Sequence, residues 1–299
     1  LGMTATPDKR DDDIDGKNIY QIFNYQIAYE IRLQQAMEEN MLCPFHYFGI
    51  TDVSLLGDKE IKSKKLTEAS FNQLVGDERV KHIIEQANYF GHSGDRVKGL
   101  IFCSRIDELS NKFNQTINPE TGRFFRTIAL NGEATEEERQ RAFERLAMDE
   151  NMLDTANQSN AKQIFDTEGK IQPLDYIFSV EILNEGVDIV EVNQVIMLRP
   201  TESPIVFIQQ LGRGLRKANG KEYVVILDFI GNYNNNFMIP VALSGDRSYN
   251  ADTIRKYVIS GNNTIPGAST VHFDEIAKDR IFASIDKIKG MKSIIRESY

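Results

Sequence analysis

Basic charge is the first thing this chain is short of. Its 35 Lys and Arg are outnumbered by 44 Asp and Glu, for a net charge of −9. That argues against a protein that coats nucleic acid electrostatically over its whole surface, though not against one that grips a strand through local loops and hydroxyls. Cysteine is scarce: Cys43 and Cys103 stand alone, each beside a strand-like apolar run. No disulfide framework is implied, and a reducing, cytoplasmic setting is expected. His46, His82, His92 and His272 are too dispersed for a metal site. No run of 18 apolar residues occurs, so the sequence holds no membrane-spanning helix. A GxxxxGK(S/T) phosphate loop is missing too; the nearest candidate, Gly214 to Lys221, has the wrong spacing and Glu222 where a hydroxyl belongs. Asp107-Glu108 and Asp274-Glu275 read as acids in the first turn of helices rather than as metal ligands at a strand end.

What is present is an alternation of apolar strands and amphipathic helices. Strands are expected at Phe45 to Val53, Gly99 to Cys103, Phe124 to Leu130, Leu174 to Val180, Gln194 to Leu198 and Tyr223 to Phe229. Helices are expected at Gln26 to Glu39, within Phe71 to Phe90, at Arg105 to Ile117 and at Thr135 to Met148. The last begins with Thr135 and Glu138 in capping-box spacing. Apolar runs without clean alternation point to a parallel sheet buried on both faces. Residues 151–169 read as a surface loop and Ile230 to Gly245 as irregular. Ala251 to Ile259 and Asp274 to Ile288 read as helices of a C-terminal extension.

The chemistry concentrates in Gln209-Gln210-Leu211-Gly212-Arg213-Gly214-Leu215-Arg216. In a helix, Gln209, Arg213 and Arg216 share one face, while Ile208, Leu211 and Leu215 form an adjoining apolar stripe. Two helical glycines cost about 1 kcal/mol each relative to alanine. Close approach of the backbone to a ligand or a second domain would offset that cost. Two neighbouring guanidiniums suit a polyphosphate, because arginine keeps its charge and presents a rigid fork of donors. The plainer alternative is a solvated helix end whose basic residues favour the dipole. Upstream, the loop from Glu181 to Ile189 leaves a strand's carboxyl end, where ligands gather in open α/β sheets. Gly186 allows a tight bend there, and Asp188 can accept ribose hydroxyls or orient an arginine.

Four segments then carry a resemblance. Leu183-Asn184-Glu185-Gly186-Val187-Asp188-Ile189 looks like motif V of the superfamily-2 DEAD/DEAH-type helicases and translocases. Gln209 to Arg216 is similar to their motif VI, QxxGRxxR. Gly2-Met3-Thr4-Ala5-Thr6-Pro7 resembles motif III, and Gly99-Leu100-Ile101-Phe102-Cys103-Ser104 resembles motif IV. The segment from Tyr29 to Phe45 resembles the excision-repair and restriction-motor branch. The resemblance implies a RecA-like, P-loop-type domain with a mostly parallel sheet flanked by helices and a helical C-terminal extension. It implies that Arg213 and Arg216 act as arginine fingers, that Gln209 positions the attacking water or its neighbours, and that Gly186, Asp188 and Gly212 lie at the ATP. Ser104, Ser179 and the Asn131-Gly132 turn would contact a nucleic-acid backbone; Ser104 reads equally as a helix N-cap, and Asn131-Gly132 is also a common turn dipeptide. Thr4 and Thr6 resemble the motif III hydroxyls that couple hydrolysis to strand movement. ATP and magnesium would be held mainly by a first motor domain with its own phosphate loop, so the chain reads as a fragment of a longer helicase, inactive alone. DNA is the expected track, with RNA an open alternative. The corresponding expected layout is 1–17 as a stub of the first domain, 18–90 as linker and start of the second, 91–245 as the RecA-like domain and 246–299 as the extension. A non-catalytic nucleic-acid- or partner-binding module is the competing reading.

Overall fold

The pleat of a strand sends neighbouring side chains to opposite faces, so a strand of unbroken apolar residues needs cover on both sides. Seven strands, β2, β4, β5 and β6 buried along their whole length, organise the computed structural model, which describes residues 22–28, 33–52, 76–149, 172–180, 189–199, 212, 214–231, 236–244, 250–260 and 268–286. They are β1 (Phe45–Thr51), β2 (Gly99–Phe102), β3 (Thr127–Leu130), β4 (Tyr176–Ser179), β5 (Gln194–Met197), β6 (Val224–Ile230) and β7 (Thr270–Phe273). They form one sheet in the order β3-β4-β2-β5-β6-β1-β7, and every neighbouring pair is parallel. The described helices are α1 (Leu33–Glu38), α2 (Asp77–Phe90), α3 (Ile106–Asn114), α4 (Glu136–Ala147), α5 (Met238–Ser244), α6 (Ala251–Ser260) and α7 (Glu275–Asp286).

Alternation along the strands divides the core in two. Ile101, Phe178, Ile196, Val225, Leu227 and Phe229 turn to one face and pack with Val80, Ile83 and Ile84 of α2 and Leu109 and Phe113 of α3. Leu100, Phe102, Ile177, Val195 and Ile226 turn to the other, under α4, α5, α6 and α7. Each fully buried side chain of this size contributes about 1.5–3 kcal/mol. A one-residue slip of any strand would exchange its two sets, so the register is strongly specified. The capping box forms as expected: Thr135 Oγ1 accepts from Glu138 N at 3.2 Å, and Thr135 N donates to Glu138 Oε2 at 2.8 Å.

Three expectations are corrected. The asparagine-rich stretch from Ile230 to Gly245 is not wholly irregular, since Met238–Ser244 is the helix α5, buried at six of its seven positions. Its Pro240 falls in the first turn, where a missing N–H costs little. The C-terminal extension is not purely helical; Thr270–Phe273 adds β7 alongside β1. The helix expected from Gln26 is described only from Leu33, and Asn24 and Tyr25 before it take left-handed backbone angles (φ 51° and 57°).

Candidate nucleotide and nucleic-acid face

Because all seven strands run parallel, all their carboxyl ends open on one edge. Strands β3, β4 and β2 are adjacent there, so Asn131-Gly132, Ser179 and Ser104, far apart in sequence, are brought to three neighbouring strand ends. Phe102 and Leu130 both lie opposite Ser179 in register. Ser104 is exposed, and it does not cap α3: the N-cap position belongs to Arg105, with no side-chain capping bond. Asn131 and Gly132 are exposed in a tight turn, where Asn131 Oδ1 accepts from Glu133 N at 3.0 Å. Ser179 differs. It is fully buried, and its Oγ has no hydrogen-bond partner among the described residues.

The same edge carries groups that sequence reading missed. Asp52, one residue past β1, is fully buried against Arg79 of α2, whose Nη2 also donates to the Leu198 carbonyl at 3.2 Å past β5. Their separation of 27 residues leaves no local signal. Cys103, beside Ser104, has its thiol pushed up to about 12, first by burial, so it is no ready nucleophile. In β6, Asp228 accepts a 2.7 Å hydrogen bond from the Tyr47 hydroxyl, and burial lifts its carboxyl to about 7. Its setting in Val-Ile-Leu-Asp-Phe gave it the look of a lone polar interruption in a strand. Asp274 behaves as expected of a helix-start acid, accepting from Ala277 N at 2.6 Å and also from Thr51 N at 2.7 Å.

The arginine segment lies elsewhere. Gly212 and Gly214 are helical, but the helix stops there and Arg216 falls in a bend beyond it. Of the three residues expected on one helical face, Arg216 alone is described, and it lies past the helical positions. Leu215 is drawn off instead: its side chain is buried, and its carbonyl accepts from Cys43 N at 2.7 Å. Lys221, at the end of the false phosphate loop, satisfies the helix end by donating to the Gly214 carbonyl at 3.1 Å. The two glycines have different reasons. A Cβ on Gly214 would stand 3.3 Å from Val195 and Val224 at the starts of β5 and β6, so the sheet itself demands that close approach. A Cβ on Gly212 would meet nothing within 4 Å among the described residues. Thr4, Thr6, Gly186, Asp188, Gln209 and Arg213 lie outside the described residues, and among the described residues no three His, Cys, Asp or Glu cluster to hold a metal.

The profile of the helicase conserved C-terminal domain matches residues 78–218, which span β2 to β5 and the arginine segment. Over these residues the chain is similar to helicase C-terminal domains. Three similar proteins place the helicase domain in context. A 51.5 kDa protein of Lactococcus phage (isolate 7-9) is 22% identical over 226 residues, 76% of this chain and 42% of its own length. A Saccharomyces cerevisiae protein named as an ATP-dependent helicase, IRC3, is 34% identical over 74 residues, 25% of this chain and 11% of its own. The solved structure titled ATP-dependent Type ISP restriction-modification enzyme LlaBIII bound to DNA is 17% identical, covering 90% of this chain and 19% of that one, with a TM-score of 0.47. The chain thus spans less than half the length of the curated relatives it matches.

Proposed function

We propose that this chain is the second motor half of an ATP-dependent helicase or translocase that moves on nucleic acid. The observation that carries the reading is the convergence of Ser104, Ser179 and Asn131-Gly132 on three adjacent strand ends of a helicase C-terminal domain. Hydroxyls, side-chain amides and backbone N–H groups at such an edge hold phosphates without reading bases. Their weak dependence on basic charge also suits a chain of net charge −9.

The nucleotide would be shared with a first motor domain. Arg213, Arg216 and Gln209 would face its phosphates, with Gly212 leaving room and Gly186 and Asp188 near the ribose. ATP bound there supplies a transferable phosphoryl group whose developing charge the guanidiniums would stabilise. Magnesium would be held by the first domain. Thr4 and Thr6 would couple the two halves. DNA is the favoured track, on the strength of the repair- and restriction-like pattern from Tyr29 to Phe45, and the setting would be cytoplasmic.

The test is steady-state ATP hydrolysis, with and without single-stranded DNA or RNA, by the protein that joins this chain to a phosphate-loop domain. Strand-stimulated turnover that drops when Ser104 and Ser179 are both changed to Ala is expected. Strand affinity and stimulation untouched by that change would favour the non-catalytic module or a different path for the strand.

A further inference from the structure

The opposite, amino-terminal edge of the sheet holds a cavity of about 280 Å³, away from the strand ends just described. It lies where the end of α2, the loop after Gly91 and the turn at Asn118 to Glu120 meet the starts of β4 and β5. The Tyr176 hydroxyl donates to Gln194 Oε1 at 2.6 Å, and Gln194 Nε2 donates to the carbonyls of Ala87 and Gly91 at 3.0 and 2.8 Å. Gln194 is thereby held in one orientation. Phe125 stands beside Tyr176, ring centroids 5.9 Å apart, and supplies an aromatic wall. The loop that forms the rim is fastened from behind, since Asn193 Nδ2 donates to the carbonyls of Ser93 and Arg96 at 2.7 and 2.8 Å. A preformed, partly apolar hollow with a few converging polar groups is the usual form of a small-molecule site.

Two of those polar groups have capacity left. Asn118 is 3% exposed; its Oδ1 accepts from Glu120 N at 2.9 Å, yet its Nδ2 has no hydrogen-bond partner among the described residues. Two residues on, the Glu120 carboxylate meets His92 Nε2 at 3.0 and 3.1 Å and keeps further lone pairs. One short turn therefore contributes an unpartnered amide N–H and a carboxylate, two residues apart, to a cavity that Phe125 and Tyr176 also line. The group that answers both is a ring carbonyl adjacent to a ring N–H. The carboxylate disfavours phosphate at this position, and the volume falls just below the range of about 300–1,000 Å³ typical of ligand pockets, which suits one ring system.

We propose that this cavity binds a single lactam-bearing heterocycle of the uracil or guanine type. Asn118 donates to its carbonyl, Glu120 accepts from its N–H, and its face rests against Phe125 and Tyr176, as bases rest on aromatic side chains elsewhere. The occupant is either a free nucleoside or a base of a bound strand; the chemistry is the same. This inference does not depend on the motor reading.

Uridine and 3-methyluridine, which lacks the N–H, are the probes. Titrated into the protein and followed by side-chain amide NMR, uridine is expected to shift the Asn118 amide resonance, with 3-methyluridine binding distinctly weaker. Asn118→Asp keeps the acceptor for Glu120 N, turns the donor into an acceptor oxygen and adds a charge beside Glu120. It should weaken uridine at least about tenfold, the value of one good hydrogen bond, with a thermal midpoint lowered by the buried charge. If Asn118→Asp does not fold, Glu120→Ala, which removes the acceptor, should abolish the preference for uridine over its methylated form. Equal binding of the two probes, or millimolar uridine that leaves the Asn118 resonance unmoved, overturns the proposal. Displacement of uridine by a short oligouridylate assigns the cavity to a base of the strand; simultaneous binding assigns it to a free nucleoside.

Discussion

Arg79 and Asp52 form an ion pair closed off from water at the carboxyl edge of the sheet. Arg79 Nε lies 3.1 and 3.0 Å from the two carboxylate oxygens and Nη2 lies 2.6 Å from Oδ2, with side chains 2% and 0% exposed. The pair joins α2 to the end of β1 and, through the Leu198 carbonyl, to the end of β5. Removing one partner strands a buried charge, whereas removing both does not. Asp52→Ala is therefore expected to cost about 3–5 kcal/mol in urea unfolding, and Arg79→Met with Asp52→Leu far less. Equal losses in the single and double variants would show that the pair itself carries the stability.

Two glycines are held by side chains lying over them. A Cβ on Gly99 would overlap the ring of Tyr176, its register partner, and one on Gly214 would crowd Val195 and Val224. Gly99→Ala should be the more damaging, because a ring locked by its bond to Gln194 cannot step aside; overpacking of this kind costs about 1–3 kcal/mol or more. Gly212→Ala should leave stability unchanged or raise it by up to about 1 kcal/mol, since no described residue crowds that position and alanine favours helix. Thermal midpoints of the three variants check the ranking.

Asp228 makes stability depend on pH. Its carboxyl is raised to about 7 in the folded protein by burial, against about 3.9 when unfolded. Over that interval the folded state holds a proton that the unfolded state has lost, so stability falls as pH rises from about 4 to 7, by at most about 1.4 kcal/mol per unit from this group. Asp228→Asn should flatten that slope while keeping a partner for the Tyr47 hydroxyl. Unfolding midpoints at pH 5 and 7 provide the comparison, and an identical slope in the variant would move the effect to another group.

On the proposed function, Arg213→Ala and Arg216→Ala in the protein that contains both motor halves should lower kcat far more than they weaken nucleotide binding. Fingers of this kind are worth about 10³ to 10⁵ in kcat in GTPases. Arg→Lys should be nearly as harmful, because lysine lacks the planar fork. Near-normal turnover in Arg216→Ala would make that residue a solvated helix end, a role its position past the last helical turn also allows.

Ser104 and Ser179 should separate. The exposed Ser104→Ala is expected to weaken strand binding at all sequences with little change in its salt dependence, since hydroxyls release no counterions. Ser179→Ala removes a buried hydroxyl without a partner among the described residues, so it should raise stability by up to about 1 kcal/mol in the absence of a strand. Strand affinity over a salt series and unfolding without strand distinguish the two. A destabilised Ser179→Ala would mean that the hydroxyl is satisfied within the fold.

Local pattern carried a good deal of this protein. The apolar runs at Leu100 to Phe102, Ile177 to Phe178 and Val224 to Leu227 announced buried parallel strands, and Thr135 with Glu138 announced a helix start, because period and capping are properties of a few consecutive residues. The order of four short motifs was enough to indicate a helicase domain. Long-range adjacency was not legible. That β3, β4 and β2 stand side by side, and so bring Asn131, Ser179 and Ser104 to one edge, is decided by how the crossovers pack. Asp52 with Arg79, and Tyr47 with Asp228, meet only when strands far apart in sequence are laid together. β7 and α5 were missed because each is short and flanked by polar residues, and gains its stability from the sheet it covers or extends. Arg216 lies past the helical positions, next to Leu215, whose side chain is buried and whose carbonyl accepts from Cys43 N. A periodicity can propose where a helix runs, but tertiary hydrogen bonds and burial decide where it stops.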